Sequence, residues 1–123
     1  MITLFFGFRL ISKDNFKCFS RRTGLPFLSN TFKQFEEKVK LSAMAQYKKE
    51  PISGDIKLSL IASFKDKRHS DCSNLGKGAI DALQGSIIIN DRQLKHFECI
   101  VLENEQKDSF VIKIEIIKED SNC

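Results

Sequence analysis

Apolar and polar residues alternate at the start of this chain. Ile2, Leu4, Phe6, Phe8 and Leu10 fall on one side, with Thr3, Phe5, Gly7 and Arg9 on the other. A period of two predicts a strand over residues 2–10 with one face in a core. Residues 12–28 lose the pattern. Turn residues recur there at Asp14-Asn15 and Thr23-Gly24, with Pro26 soon after, which predicts a loop or a loose hairpin. The spacing then changes to threes and fours. Phe32, Phe35, Val39, Ser42, Ala43 and Tyr47 predict a helix over 30–49, opened by a Thr31–Gln34 capping box and closed by Pro51 and Gly54. Alternation returns over 55–64. Leu75, Ala79, Ala82 and Leu83 predict a second helix over 73–84, with Gly85 suited to the position just past its end. Ile87–Ile89 reads as a short apolar strand turning at Asn90-Asp91. Two more strands follow over 96–103 and 109–118, and 119–123 reads as a frayed polar tail. The whole chain, 1–123, reads as one α+β (mixed α/β) domain: a central mixed sheet with two main helices packed on it.

Composition fits one domain of ordinary solubility. At 123 residues a core can form without a disulfide or metal staple, and eleven Phe with no Trp predict a core rich in Phe. The four cysteines, Cys18, Cys72, Cys99 and Cys123, form no CxxC pair, and His69 and His96 stand at no zinc-ligand spacing. They read as reduced thiols of a cytosolic protein. The apolar start lacks a basic n-region and a small-residue cleavage site, so it does not read as a signal peptide. No apolar run reaches the roughly 20 residues that span a bilayer. A soluble, cytoplasmic protein is expected.

The net charge of +4 changes the picture only where it clusters. Lys13, Lys17, Arg21 and Arg22 face a single acid, Asp14, and Phe16 and Phe19 interleave with them. That stretch is either a solvated loop pinned by two Phe or an arm that contacts phosphate. A second run, Lys65 to His69, sets Lys65, Lys67 and Arg68 just before Asp71. Lone basic runs are usually solvated faces, and the neighbouring acid strengthens the case for a phosphate site here, with His69 read as solvated beside the cations.

Acids on two turns suit a metal that works on phosphate. Asp71 precedes the second helix and Asp91 follows the short Ile87–Ile89 strand. If helix and strand pack antiparallel, Asp71 and Asp91 approach each other. Mg²⁺ takes such hard oxygen ligands together with water and substrate phosphate. Lys77 lies one turn into the helix, where its charge suits an oxyanion. Gly76 and Gly78 each cost about 1 kcal/mol relative to Ala, which points equally to a close approach by backbone, partner or phosphate and to drift at a tolerant site. Two Asp and a Lys alone occur in many helix–turn segments.

Motif order is more specific. The chain reads Asp71-Cys72-Ser73-Asn74-Leu75, then Lys77, then Asp81-Ala82-Leu83, then Asn90-Asp91-Arg92-Gln93. This resembles the RusA family of Holliday-junction resolvases, whose signature is Asp-x-Asp-Asn-Leu, a Lys three residues after the Asn, Asp-Ala-Leu, and Asp-Asp-x-Gln. Ser12-Lys13-Asp14-Asn15, Arg21-Arg22-Thr23-Gly24 and the start of the first helix are similar to the family's basic N-terminal loop and first helix. The resemblance implies a RusA-like fold and a homodimeric, Mg²⁺-dependent endonuclease, with Mn²⁺ as a substitute, that nicks four-way DNA junctions in symmetric pairs. It implies metal binding and catalysis by Asp71 and Asp91, a catalytic Lys77, and a structural Asp81. DNA contacts are expected from Lys13, Asn15, Lys17, Arg21, Arg22, Lys67 and Arg68, in a nucleoid-associated protein. Ser73 stands where the family commonly has a second metal-binding Asp, and Asn90 replaces the first Asp of the later pair. Both keep an oxygen and lose a charge. The alternative is therefore a dimer that binds junctions without cutting them, with Ser73 at most a weak ligand.

Overall fold

The computed structural model describes residues 1–12, 17–19, 26–28 and 30–118. In chain order they form β1 (Ile2–Phe6), β2 (Lys17–Phe19), β3 (Pro26–Leu28), α1 (Asn30–Gln46), β4 (Asp55–Ser63), α2 (Cys72–Leu83), β5 (Leu94–Leu102) and β6 (Ser109–Lys118). A 3-10 turn, Asp91–Gln93, leads into β5. The α+β domain with a mixed sheet and two helices is the one the alternation and helical spacing imply.

The sheet runs β1-β6-β4-β5. β6 is antiparallel to both β1 and β4, and β4 is parallel to β5. A parallel pair needs a crossover of a dozen or more residues. Residues 64–93 supply it, and α2 lies within them. Ile56, Leu58, Leu60 and Ala62 of β4 are fully buried under the helices, and Leu4 and Phe6 of β1 and Phe110, Ile112 and Ile114 of β6 extend that face. The core is rich in Phe, as composition implied, with Leu and Ile around the rings. Phe6, Phe32, Phe64 and Phe110 are among the largest fully buried side chains, and the Phe6 and Phe110 rings stack at 4.4 Å.

Several boundaries differ from the sequence reading. β1 stops at Phe6, not at residue 10, because its register pairs Phe6 with Phe110 and β6 begins at Ser109. Leu10 is still buried beyond the strand. α1 starts at Asn30, one residue before the expected Thr31 cap, and ends at Gln46. There the Gln46 amide takes up the exposed edge of β1, donating to the Phe5 carbonyl at 2.7 Å and accepting from the Phe5 N–H at 2.8 Å. The loose hairpin is present as the antiparallel pair β2–β3.

Ile87–Ile89 is not a strand. α2 ends in a turn through Gly85, whose φ of 85° a side chain would strain, and the Gly85 N–H donates back to the Ile88 carbonyl at 2.7 Å. Ile87 and Ile88 are fully buried, and the Ile52 N–H reaches the Ile87 carbonyl at 2.8 Å. Ile87 and Ile88 fill a tight corner here, and Ile89 is exposed. A short apolar run carries the same signal for a corner as for a buried strand.

Candidate functional site

Asp71 is the N-cap of α2. Its Oδ1 accepts from the Asn74 N–H and from the Ser73 hydroxyl, each at 3.0 Å. The Asn74 bond, then the Ser73 hydroxyl, hold its carboxyl below the ordinary carboxylate range, and Lys77 adds its charge. Asp71 is therefore an exposed, ionised carboxylate at the positive end of a helix. A short side chain with an oxygen suffices at this position for the helix to start, whereas a charge that attracts a cation takes an acid.

A strut of charges presents that cap. Arg9 donates to Asp108 and to Asp66, each at 3.3 Å, and also to the Arg68 carbonyl. Its guanidinium lies 4.8 Å from the Phe64 ring centre, and the His69 ring stacks on Phe64 at 4.5 Å. His69 Nδ1 meets the Ser70 carbonyl at 2.9 Å and Nε2 meets the Glu103 carboxylate at 2.6 Å. Acceptors on both nitrogens favour the imidazolium. The Ser70 bond, with Glu103, raises the pKa above its ordinary value. His69, expected as a solvated cation, is a half-buried brace instead. Lys67 and Arg68 stay exposed, as a DNA contact requires.

Asp91 is held by different means. Asn90 caps the 3-10 turn, its Oδ1 accepting from the Arg92 N–H at 2.9 Å. Gln93 is buried and makes four bonds. Its Oε1 accepts from the N–H groups of Ile89 and Asn90 at 2.7 and 3.0 Å, and its Nε2 donates to the carbonyls of Ile52 and Gly54 at 2.6 and 2.9 Å. One neutral amide thus pins the Asp91 turn to the start of β4.

α2 links the two ends and runs antiparallel to β5. Cys72 Sγ donates to the Cys99 carbonyl at 3.7 Å, and Ile80 lines one cleft with Leu94. Between them, a Cβ on Gly76 would stand 2.6 Å from Cζ of Phe97, and one on Gly78 would stand 3.2 Å from Cζ of Phe32. The close approach that the two glycines implied is made by aromatic rings of this same chain. Cys72, Ser73, Gly76, Lys77, Ile80, Leu94, Phe97 and Cys99 line a cleft of about 450 Å³ on this flank. Burial, with the Cys72 sulfur alongside, pushes the Cys99 thiol up to about 12.

This arrangement overturns one expectation. Asp71 and Asp91 do not converge within one chain, because Asp71 opens α2 whereas Asp91 precedes Leu94, beyond the helix's other end. The twelve residues of α2 span about 18 Å. Among the described residues no three His, Cys, Asp or Glu gather as a metal site. Ser73 and Lys77 stay with Asp71. Asp81 accepts from Gln84 Nε2 at 3.2 Å in the last turn of α2. Lys13, Asn15, Arg21 and Arg22 lie outside the described residues, and Lys17 is described only as backbone of β2.

A family model for endodeoxyribonuclease RusA matches residues 8–117. The chain belongs to the RusA endodeoxyribonuclease family. No curated protein matches it. Family membership implies a nuclease that resolves Holliday junctions, acting on branched DNA. Among the described residues, no helix of this RusA-family chain is long and apolar enough to cross a membrane.

The sequence reading gave no roles to Gln93 and Arg9. Gln93 sat inside a quoted motif, but nothing local showed which carbonyls it would reach 39 and 41 residues away. Arg9 had a signal: a lone charge closing an apolar alternation.

Proposed function

We propose that this RusA-family protein is a Mg²⁺-dependent endodeoxyribonuclease that works as a homodimer on four-way DNA junctions and makes paired symmetric nicks. The observation that carries the reading is the separation of Asp71 and Asp91 to opposite ends of α2. A two-fold axis that sets α2 of one copy antiparallel to α2 of the other, with the cleft over β5 left open, brings Asp71 of one chain to Asp91 of the other. It does so twice, which matches two identical sites to the two-fold symmetry of a junction.

The donors at the Asp71 end fit a hard divalent cation: an ionised, exposed carboxylate with the Ser73 hydroxyl beside it. Asp91 of the second copy supplies the further carboxylate. When bound, Mg²⁺ or Mn²⁺ supplies Lewis-acid stabilisation of charge at phosphorus and a more acidic water. Lys77, exposed one turn along α2, gives positive charge to a phosphate oxygen. Lys67 and Arg68 beside the cap, with Lys13, Asn15, Lys17, Arg21 and Arg22 of the N-terminal loop, hold the DNA backbone. Such a protein works in the cytoplasm, at the nucleoid.

A second reading has its own support. The Ser73 hydroxyl donates a hydrogen bond to Asp71, and the Asn90 oxygen is engaged in a cap, so neither adds charge for a metal. On that reading the dimer binds junctions without cutting them. The test is cleavage of a synthetic four-way junction with Mg²⁺ or Mn²⁺. The nuclease reading expects paired nicks that vanish in Asp71→Asn and Asp91→Asn and increase in Ser73→Asp. Intact junctions at high enzyme and Mn²⁺, with binding confirmed in a gel, would establish the second.

A further inference from the structure

Two of the four cysteines line one cleft, although nothing in their spacing predicts it. Cys72 is the first residue of α2 and Cys99 sits midway along β5, 27 residues on. Both are free thiols, both are half-buried, and both open into the same cleft as Ser73 and Lys77. The Cys72 thiol donates to the Cys99 carbonyl at 3.7 Å, which sets it against the residue that carries the second thiol, and both residues line the same cleft wall.

We propose that Cys72 and Cys99 are a dithiol modification site, which a small thiol oxidant of the peroxide class closes to an intrachain disulfide. The step balances with hydrogen peroxide as oxidant. The two S–H bonds and the O–O bond break, one S–S bond forms, two electrons pass from the sulfurs to the peroxide, and two waters leave. Joined sulfurs lie about 2.05 Å apart, shorter than any contact between free thiols. Closure therefore draws the first turn of α2 towards β5, and Asp71, the residue before Cys72, moves with it. Oxidation then displaces a carboxylate of the proposed nuclease site. That consequence rests on the function proposed above, whereas the chemistry of the pair does not.

Two readouts keep the failures apart. The reduced full-length protein is treated with hydrogen peroxide and mapped without reduction. The expected product has lost two hydrogens per chain, joins the Cys72 and Cys99 peptides of one chain, and reverts with dithiothreitol. Cys18→Ser with Cys123→Ser is expected to leave the cross-link intact, and Cys99→Ala is expected to abolish it while retaining the wild-type circular dichroism. Peroxide that yields only sulfinic acid at Cys72, only bonds to Cys18 or Cys123, or only bonds between chains overturns the site. In the junction assay, oxidation is expected to slow nicking on the order of tenfold or more in wild type, reversibly, and to leave Cys99→Ala unaffected. A confirmed cross-link that leaves nicking unchanged overturns the regulation alone. A reduced protein that never nicks overturns the nuclease reading and leaves the mapped disulfide standing.

Discussion

The two ends of α2 are held by opposite kinds of interaction. At the Asp71 end, Arg9, Asp66, Asp108, His69 and Glu103 hold the loop through charge, near the surface. At the Asp91 end a single buried neutral amide, Gln93, does the equivalent task. Exposed ion pairs are screened by salt and follow pH, and they contribute little to stability. A buried amide with its hydrogen bonds complete is indifferent to both, and costly to remove. The protein therefore carries one carboxylate on a tunable mount and one on a fixed mount.

The largest stability effect is expected at the fixed mount. Gln93→Leu strips partners from two N–H groups and two carbonyls around a buried position, at an expected cost of about 2–4 kcal/mol. Denaturant melts at low and high salt should show the same loss. A loss that shrinks with salt would mean that the Asp91 end is held by charge after all.

At the tunable mount, Arg9→Ala should destabilise less, and the effect should fade as salt rises. It should lower junction nicking more than it lowers stability, because Arg9 bonds the carbonyl of Arg68, three residues before Asp71. Arg9→Lys should recover only part of it, since one ammonium cannot reproduce the guanidinium fork. Equal nicking by wild type and Arg9→Ala would show that Asp71 keeps its place without the strut.

A smaller effect is expected from pH. The folded-state pKa of His69 is raised above its ordinary 6.5. Its contribution to stability is thus complete below 6.5 and disappears as pH climbs through the raised value. Asp66 and Asp71 shift downward, so their contribution is present above their ordinary 3.8 and is lost as pH falls through their lowered values. His69→Gln should flatten the decline on the alkaline side and leave the acid side as it was. An unchanged alkaline slope in His69→Gln would remove His69 from the strut.

Much of this was legible in the sequence, for a physical reason in each case. The period of two in Ile56–Phe64 marks a strand buried on one face, and β4 is that strand. Ser70, Asp71, Ser73 and Asn74 all offer the side-chain oxygen that starts a helix, and Asp71 is the one that caps α2. Ile87–Ile89 failed because an apolar run has no period and fits a corner as well as a strand. The expected meeting of Asp71 and Asp91 failed with it. An antiparallel strand over 87–89 would have folded back along α2, whereas a corner sends the chain into β5, which starts at the helix's far end. Gln93 and Arg9 act on partners dozens of residues away, and such pairs leave no local spacing to read.

The central claim is that each site draws Asp71 from one chain and Asp91 from the other. The most direct measurement is junction nicking by an equal mixture of Asp71→Asn and Asp91→Asn chains, exchanged into mixed dimers in Mn²⁺. Each variant alone should be inactive. The mixed dimer holds one site with both aspartates and one with neither, so the mixture should regain nicking on one strand of the symmetric pair. A mixture as inactive as its parts, with chain exchange shown by mass, would contradict a site shared between two chains.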